Sequence, residues 1–371
     1  MIVGIPKEIK EDESRVGIVP SGVRQLVQHG HQVLIEKGAG EGSRILDEEY
    51  EAAGATVVPH CTDVYGQSQM IMKVKEPLKQ EYNLLREDQI LYAYLHLAPA
   101  AELTKALVKR KVIAVAYETI QMDDGSLPLL VPMSEVAGRM AVQVGAHFLE
   151  KPQGGRGVLL GGVPGVRRGR VTILGTGTVG RAAAKMAIGI GAEVYVLDVD
   201  QRRLSYMDDV YGNRVNTMFS NLDHIAECVA SSHLVVGAVL IPGDRAPQLV
   251  TTDMIRAMKP GAVIVDVAVD QGGCVETTRP TTHTYPTFVL HDVVHYCVPN
   301  MPGAVSRTST FALASVTLPY AMKLADMGFE QAVKTDAHLA RGVNVYKGAV
   351  TYDKVASALG YTYTPLSGLL P

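Results

Sequence analysis

The stretch VTILGTGTVGRAAAKMAIGIGAEVYVLDVD, residues 171–200, constrains the fold more than any other part of the chain. An apolar run ends in Gly175, Gly177 and Gly180, an alanine-rich segment follows, and a second apolar run closes on Asp198. A strand that turns tightly into a helix needs a residue free of a Cβ at Gly175. A phosphate approaching the backbone needs none at Gly177, and a helix seated close on its strand needs none at Gly180. The helix that starts there offers unpaired N–H groups and the positive end of its dipole. Strand, glycines, helix and terminal acid together make a dinucleotide fingerprint and dictate a parallel strand–helix–strand unit. Asp198 can accept from a ribose 2′-hydroxyl and would repel a 2′-phosphate, which favours NAD over NADP. Arg202 and Arg203 could offset that repulsion, but they read first as a solvated helix face.

The same alternation runs through most of the chain. Before residue 128 the runs IVGI, HQVLIE, ATVV, MIMKVK, ILYAYLHL and VIAVAYE recur between helical patterns. From residue 170 onward RVTILG, AEVYVLDVD, LVVGAVLI, AVIVDVAVD and FVLHDVVHY form a second series, each nearly continuous in apolar residues, as strands covered on both faces must be. The fold class is therefore α/β, with two Rossmann-like doubly wound domains. SEVAGRMAVQVGAHFLEK reads as a helix joining the series, with Ser134 as its N-cap and Val136, Ala137, Met140, Ala141 and Val144 on one face. The tract GGRGVLLGGVPGV, residues 154–166, reads as a loop, and residues 306–360 as helical with a kink at Pro319.

Composition removes several classes of function. Of 371 residues 35 are Lys or Arg and 38 Asp or Glu, with no basic run to follow a nucleic-acid backbone. The opening MIVGIPKEIKED is charged too early for a secretory leader, and no apolar run approaches the ~20 residues a membrane helix needs, so a cytoplasmic protein is expected. Cys61, Cys228, Cys274 and Cys297 are scattered without a CxxC pair, which predicts free thiols. His291, His295 and Cys297 have metal-ligand chemistry, but their strand-like setting and the lack of a second ligand cluster argue against a metal.

In open α/β sheets ligands bind beyond the carboxyl ends of the strands. Lys75 stands at the end of MIMKVK, His96 at the end of ILYAYLHL before Pro99, and Asp270 at the end of AVIVDVAVD. Singly, each has an ordinary explanation: a solvated lysine, a satisfied core histidine, a turn-capping aspartate. Their common position on a dinucleotide fold makes them catalytic candidates.

GIPKEIKEDESRVGIVPSGVRQL at residues 4–26, the Gly175–Asp198 fingerprint and HYCVPNMPGAVSRTST at residues 295–310 resemble the bacterial L-alanine dehydrogenase family, relatives of the NAD-binding part of proton-translocating transhydrogenase. The resemblance covers essentially the whole chain. Asp12 and Gly17 stand where Asn and Ala are more familiar, and Thr176 where Gly is frequent. The family implies a substrate domain made of residues 1–128 and 307–371 flanking an NAD domain at 129–306, with a cleft between them, in a homohexamer. It implies NAD-dependent, reversible oxidative deamination of L-alanine to pyruvate and ammonia. By matching position, Arg15 and Lys75 would hold the substrate carboxylate, His96 and Asp270 would be the catalytic pair, and Tyr94, Met133 and Asn300 would line the substrate site. The same matching extends the cofactor contacts from Gly175, Gly177, Gly180 and Asp198 to Ser134, Thr178, Val179 and Arg203. It adds Ser220, Val239, Leu240, Val298 and Met301. Two other readings are a transhydrogenase-type NAD domain, against which Lys75 and His96 argue, and a non-catalytic NAD-sensing module. Another amino-acid dehydrogenase of this fold is a third, because pocket volume sets side-chain specificity.

Overall fold

A computed structural model of the chain describes residues 1–239 and 246–371. It divides into two compact units, Met1–Met133 with Gly303–Pro371, and Ser134–Pro302. The strands of the first series are β1 (Ile2–Ile5), β2 (Gln32–Glu36), β3 (Thr56–Val58), β4 (Met70–Met72), β5 (Ile90–Ala93) and β6 (Ile113–Ala116). Those of the second are β7 (Arg170–Leu174), β8 (Glu193–Asp198), β9 (Asn216–Phe219), β10 (Leu234–Gly237), β11 (Val263–Asp266), β12 (Thr287–Leu290) and β13 (Val293–Tyr296). Near the C-terminus come β14 (Val343–Tyr346) and β15 (Ala349–Val350).

In the first unit the order is β15-β14-β6-β5-β4-β1-β2-β3, with β1 to β6 parallel to one another. In the second it is β12-β13-β11-β10-β7-β8-β9, parallel except for β12. Each sheet thus contains the doubly wound 3-2-1-4-5-6 arrangement, whose order reverses between β1 and β4 in one unit and between β7 and β10 in the other. The central strands are apolar throughout because helices cover both faces. Ile71, Leu91 and Ala114 pack with Leu103, Leu107 and Val345 in the first unit, and Leu174, Val235 and Ile264 with Ile225 and Val229 in the second.

Several expectations need correction. The expected helical run to residue 360 is broken: after helices at Ser306–Met327, Phe329–Thr335 and Ala337–Arg341, β14 and β15 add two antiparallel strands beside β6. The local pattern VNVY is too short to announce a strand, and only the free edge of β6 makes it one. The helix Ser306–Met327 contains Pro319, where the kink was expected. FVLHDVVHY is a hairpin and not one strand: Leu290 pairs with Val293 across a two-residue turn, His291 and Asp292, both at positive φ. Ser134 is not an N-cap, because the helix Val131–Phe148 begins a turn earlier, with Pro132 where a missing N–H costs nothing. Strand β9, NTMF, was too short and polar to be read from sequence. Residues 154–166 are irregular apart from a bridge between Val163 and Val166. All four cysteines are free, and no helix among the described residues is long and apolar enough to cross a membrane.

Candidate active site

In the first unit the candidate side chains follow the carboxyl ends of four adjacent strands, β1, β4, β5 and β6. The strands stop short of them. β4 ends at Met72 and β5 at Ala93, so Lys75 and His96 sit on the loops beyond rather than at strand ends proper. His96 takes a left-handed backbone, φ +46°, which turns the chain out of the sheet and leaves its ring about half exposed. The loop is held by Glu118, just past β6, whose carboxylate accepts from the His96 N–H at 2.6 Å and the Leu95 N–H at 3.2 Å; Nδ1 of His96 lies 3.9 Å away. Tyr94 stacks nearly parallel to the imidazole at 6.0 Å, and its hydroxyl donates to the Leu129 carbonyl. Burial pushes that hydroxyl's pKa above the ordinary tyrosine value.

Arg15, beyond β1, is 2% exposed. Its Nε and Nη2 both donate to the Glu13 carboxylate, Nε at 2.6 Å, while Nη1 lies 3.1 Å from the Met133 sulfur. The Nε–Nη2 edge of the guanidinium is therefore held by Glu13, and Nη1 is turned to the Met133 sulfur. Burial would raise the Glu13 pKa, but Arg15 outweighs it and holds the carboxyl below its ordinary value. Lys75 is held below the ordinary lysine value, first by burial and then by the nearby charges of Arg15 and Lys10. Beneath it lies Lys73, fully buried, at ion-pair distance from Glu8 (3.2 Å) and Glu81 (3.0 Å). Glu8 also accepts from the Val74 and Lys75 N–H groups, so this cluster fixes the backbone that carries Lys75.

The second unit presents glycines and backbone at the corresponding strand ends. Gly175 has φ +93°; a Cβ on Gly180 would fall 1.8 Å from the Gly175 carbonyl oxygen; a Cβ on Gly177 would meet nothing within 4 Å. The helix Thr178–Gly189 starts at Gly177 with no side chain capping it. Tight turn, close helix and open approach all match a pyrophosphate cradle. Thr178 and Val179 lie in that first turn. Asp198 ends β8 and is 6% exposed, with Arg203 at 3.8 Å, and the Ser220 N–H donates to its backbone carbonyl. Val239 follows β10, and its side chain would touch a Cβ at Gly175. Val298 and Met301 are buried beyond β13, Asn300 has φ +57°, and Ser134 lies inside the helix Val131–Phe148. Leu240 lies outside the described residues.

Asp270 is exposed on a 3₁₀ turn, Val269–Gln271, after β11. That loop wraps around the buried Asp266, whose carboxylate accepts from Ala268 N and Cys274 N at 3.0 Å, from Val275 N at 3.3 Å and from Thr278 Oγ1 at 2.7 Å. His295, once a candidate ligand, is buried, with Nδ1 3.0 Å from the Val293 carbonyl and Nε2 2.8 Å from Thr277 Oγ1. Glu8, Glu13, Glu118 and Asp266 escaped the reading of the sequence. A carboxylate on a loop looks solvated until its partners, distant in sequence, are known. The glutamates in KEIKEDESR had one available signal, an acid two residues before an arginine that must itself be buried.

Family models described as the N-terminal and C-terminal domains of alanine dehydrogenase/PNT match residues 4–137 and 141–353. The chain belongs to the alanine dehydrogenase/PNT family. An alanine dehydrogenase of Methanococcus maripaludis is 56% identical over 366 residues, 98% of each chain. A solved L-alanine dehydrogenase superposes with a TM-score of 0.95 at 53% identity, covering 97% of this chain and 99% of that one. A transhydrogenase from Sinorhizobium meliloti reaches 0.82 at 26% identity over 95% and 99%. Asp12 has φ +60°, a conformation Asp and Asn both tolerate. At Gly17 a Cβ would come within 2.9 Å of the Met72 carbonyl oxygen.

Proposed function

We propose that the chain is an NAD-dependent alanine dehydrogenase that interconverts L-alanine with pyruvate and ammonia. The observation that carries this reading is 56% identity to an alanine dehydrogenase over 98% of both chains. The cationic cluster beyond β1 and β4 supports it, because an amino acid offers a carboxylate to be held. Arg15, oriented by Glu13, and Lys75 bring two positive charges to that carboxylate, so that Cα is placed for reaction. Tyr94, Met133 and Asn300 line the substrate. Gly175 to Gly180, with Thr178 and Val179, take the pyrophosphate, Asp198 takes the adenosine ribose, and Arg203 lies at its rim. Ser134, Ser220, Val239, Leu240, Val298 and Met301 complete the cofactor's surroundings.

NAD, when bound, supplies the hydride acceptor for the hydrogen on Cα. The chain's own work is with protons and position. The substrate amine must be neutral when the hydride leaves; water then adds to the iminium carbon, and the carbinolamine collapses to pyruvate and ammonia. His96, held from behind through its backbone by Glu118, exchanges a proton with the developing carbonyl oxygen. Asp270 orients the amine or the attacking water and carries its proton. The reading includes a cytoplasmic homohexamer with no membrane or nucleic-acid partner, which light scattering checks against the 39.8 kDa protomer.

The decisive experiment follows NADH formation by absorbance with NAD and L-alanine at alkaline pH, with NADP, L-serine, L-lysine and L-glutamate in parallel. Turnover with L-alanine and NAD alone is expected. Binding of NAD without turnover would overturn the assignment in favour of a transhydrogenase-type or sensing module.

A further inference from the structure

We propose that Thr176 is a positioning residue for cofactor selection: its hydroxyl locks the Asp198 carboxylate in the one orientation that accepts a ribose hydroxyl and excludes a 2′-phosphate. The proposal rests on the reading of Gly175–Asp198 as the NAD site.

Thr176 is 1% exposed and lies between Gly175 and Gly177 in the turn after β7. Both its N–H and its Oγ1 donate to Asp198 Oδ2, each at 2.7 Å. The other oxygen, Oδ1, accepts from the Asp200 N–H at 2.9 Å. A carboxylate has about four lone-pair directions, two per oxygen. Thr176 occupies both on Oδ2, so a ligand hydroxyl has its acceptor direction on Oδ1. Burial alone would raise the Asp198 pKa, but the Asp200 N–H, Thr176 and Arg203 outweigh it and hold the group below its ordinary value.

A glycine at position 176 would supply the backbone donor alone and leave the carboxylate free to swing about χ2. Threonine adds a second donor on a β-branched side chain whose χ1 is stiff. To admit a 2′-phosphate, Asp198 would have to turn away. That movement would break all three hydrogen bonds and strand the Thr176 hydroxyl in a buried site, where an unpaired polar group is costly. The hydroxyl therefore strengthens binding of the cofactor lacking the phosphate and raises the barrier to the one carrying it.

The test measures NADH and NADPH dissociation constants by fluorescence titration of the full chain, together with KM and kcat, for Thr176→Ala, Thr176→Ser, Thr176→Gly and Asp198→Asn. Thr176→Ala should weaken NADH about 3- to 30-fold and narrow the NADH/NADPH ratio, raising KM for NAD with little change in kcat; these are fractions of a charge-assisted hydrogen bond. Thr176→Ser, which keeps the hydroxyl, should restore most of the affinity. Thr176→Gly should behave as Ala does, and it carries the test if Ala folds poorly. An unchanged NADH/NADPH ratio in Thr176→Ala and Thr176→Gly, beside a collapsed ratio in Asp198→Asn, overturns the role of Thr176 and leaves the NAD site standing. An unchanged ratio in Asp198→Asn as well would remove the ribose role of Asp198. Equal weakening of both nucleotides without rescue by Ser would mean a merely structural residue.

Discussion

The two units share a strand order and differ in what their strand ends carry. In the first unit the loops after β1, β4, β5 and β6 are interlocked by charges: Glu8 and Glu81 about Lys73, Glu13 on Arg15, Glu118 under His96. In the second the corresponding loops carry glycines and backbone donors, with Asp198 and Asp266 each gathering N–H and hydroxyl groups. On the proposed function, the difference follows from the ligands these ends would hold. A pyrophosphate can be held by backbone N–H groups, which need close approach and small residues. A small amino acid must be gripped by side chains, and the cations that do so, when buried, need counter-charges to stay ionised and in place.

The comparison can be broken at four points. The largest effect is expected at His96: substitution by Asn, which tolerates the left-handed backbone there, should lower kcat about 10²- to 10⁴-fold with the melting temperature nearly unmoved. A near-normal kcat with an unaltered pH–rate profile would remove His96 from the mechanism. Next is Lys73→Met, which leaves Glu8 and Glu81 buried without their cation; a loss of about 3–5 kcal/mol is expected in urea denaturation. A loss under about 1 kcal/mol would mean that charge does not hold this unit's strand ends together.

Gly180→Ala probes the other unit, where a Cβ would lie 1.8 Å from a backbone carbonyl oxygen. It should cost about 1–3 kcal/mol of stability, the ordinary price of overpacking, and weaken NADH in titration. The smallest effect concerns pH. Because burial, Arg15 and Lys10 lower the Lys75 pKa, its ammonium is charged below that lowered value and neutral above it. KM for L-alanine should therefore rise as pH climbs through a range below that of an ordinary lysine, and Lys75→Arg, which stays charged, should move this limb upward. A KM profile identical in the two proteins would exclude Lys75 as the titrating group.

Much of this architecture was legible because it depends on local patterns. Near-continuous apolar runs separated by helical segments imply a doubly wound sheet wherever they occur, and the spacing of Gly175, Gly177 and Gly180 before Asp198 states its own geometric needs. Strand limits were less legible: the apolar run ILYAYLHL passes through His96, but the strand ends at Ala93, and Glu118 takes the Leu95 and His96 N–H groups. The hairpin at His291–Asp292 was hidden because its turn lacks glycine. β14 and β15 owe their existence to a vacant edge beside β6, a property of the sheet and not of VNVY.

The sequence by itself determined the fold class, the glycine turn that opens the helix after β7 and the placing of Lys75, His96 and Asp270 beyond strand ends, because periodicity and spacing are local quantities; Arg15 was marked only by the family resemblance. The tertiary structure alone decided the states of those groups: that Arg15 gives one edge to Glu13, that Lys75 rests on Glu8, that Asp270 rides on a loop wound around Asp266, and that Thr176 holds Asp198. Each depends on desolvation and on a partner's approach to within hydrogen-bond distance, and burial and distance exist only once the chain has folded.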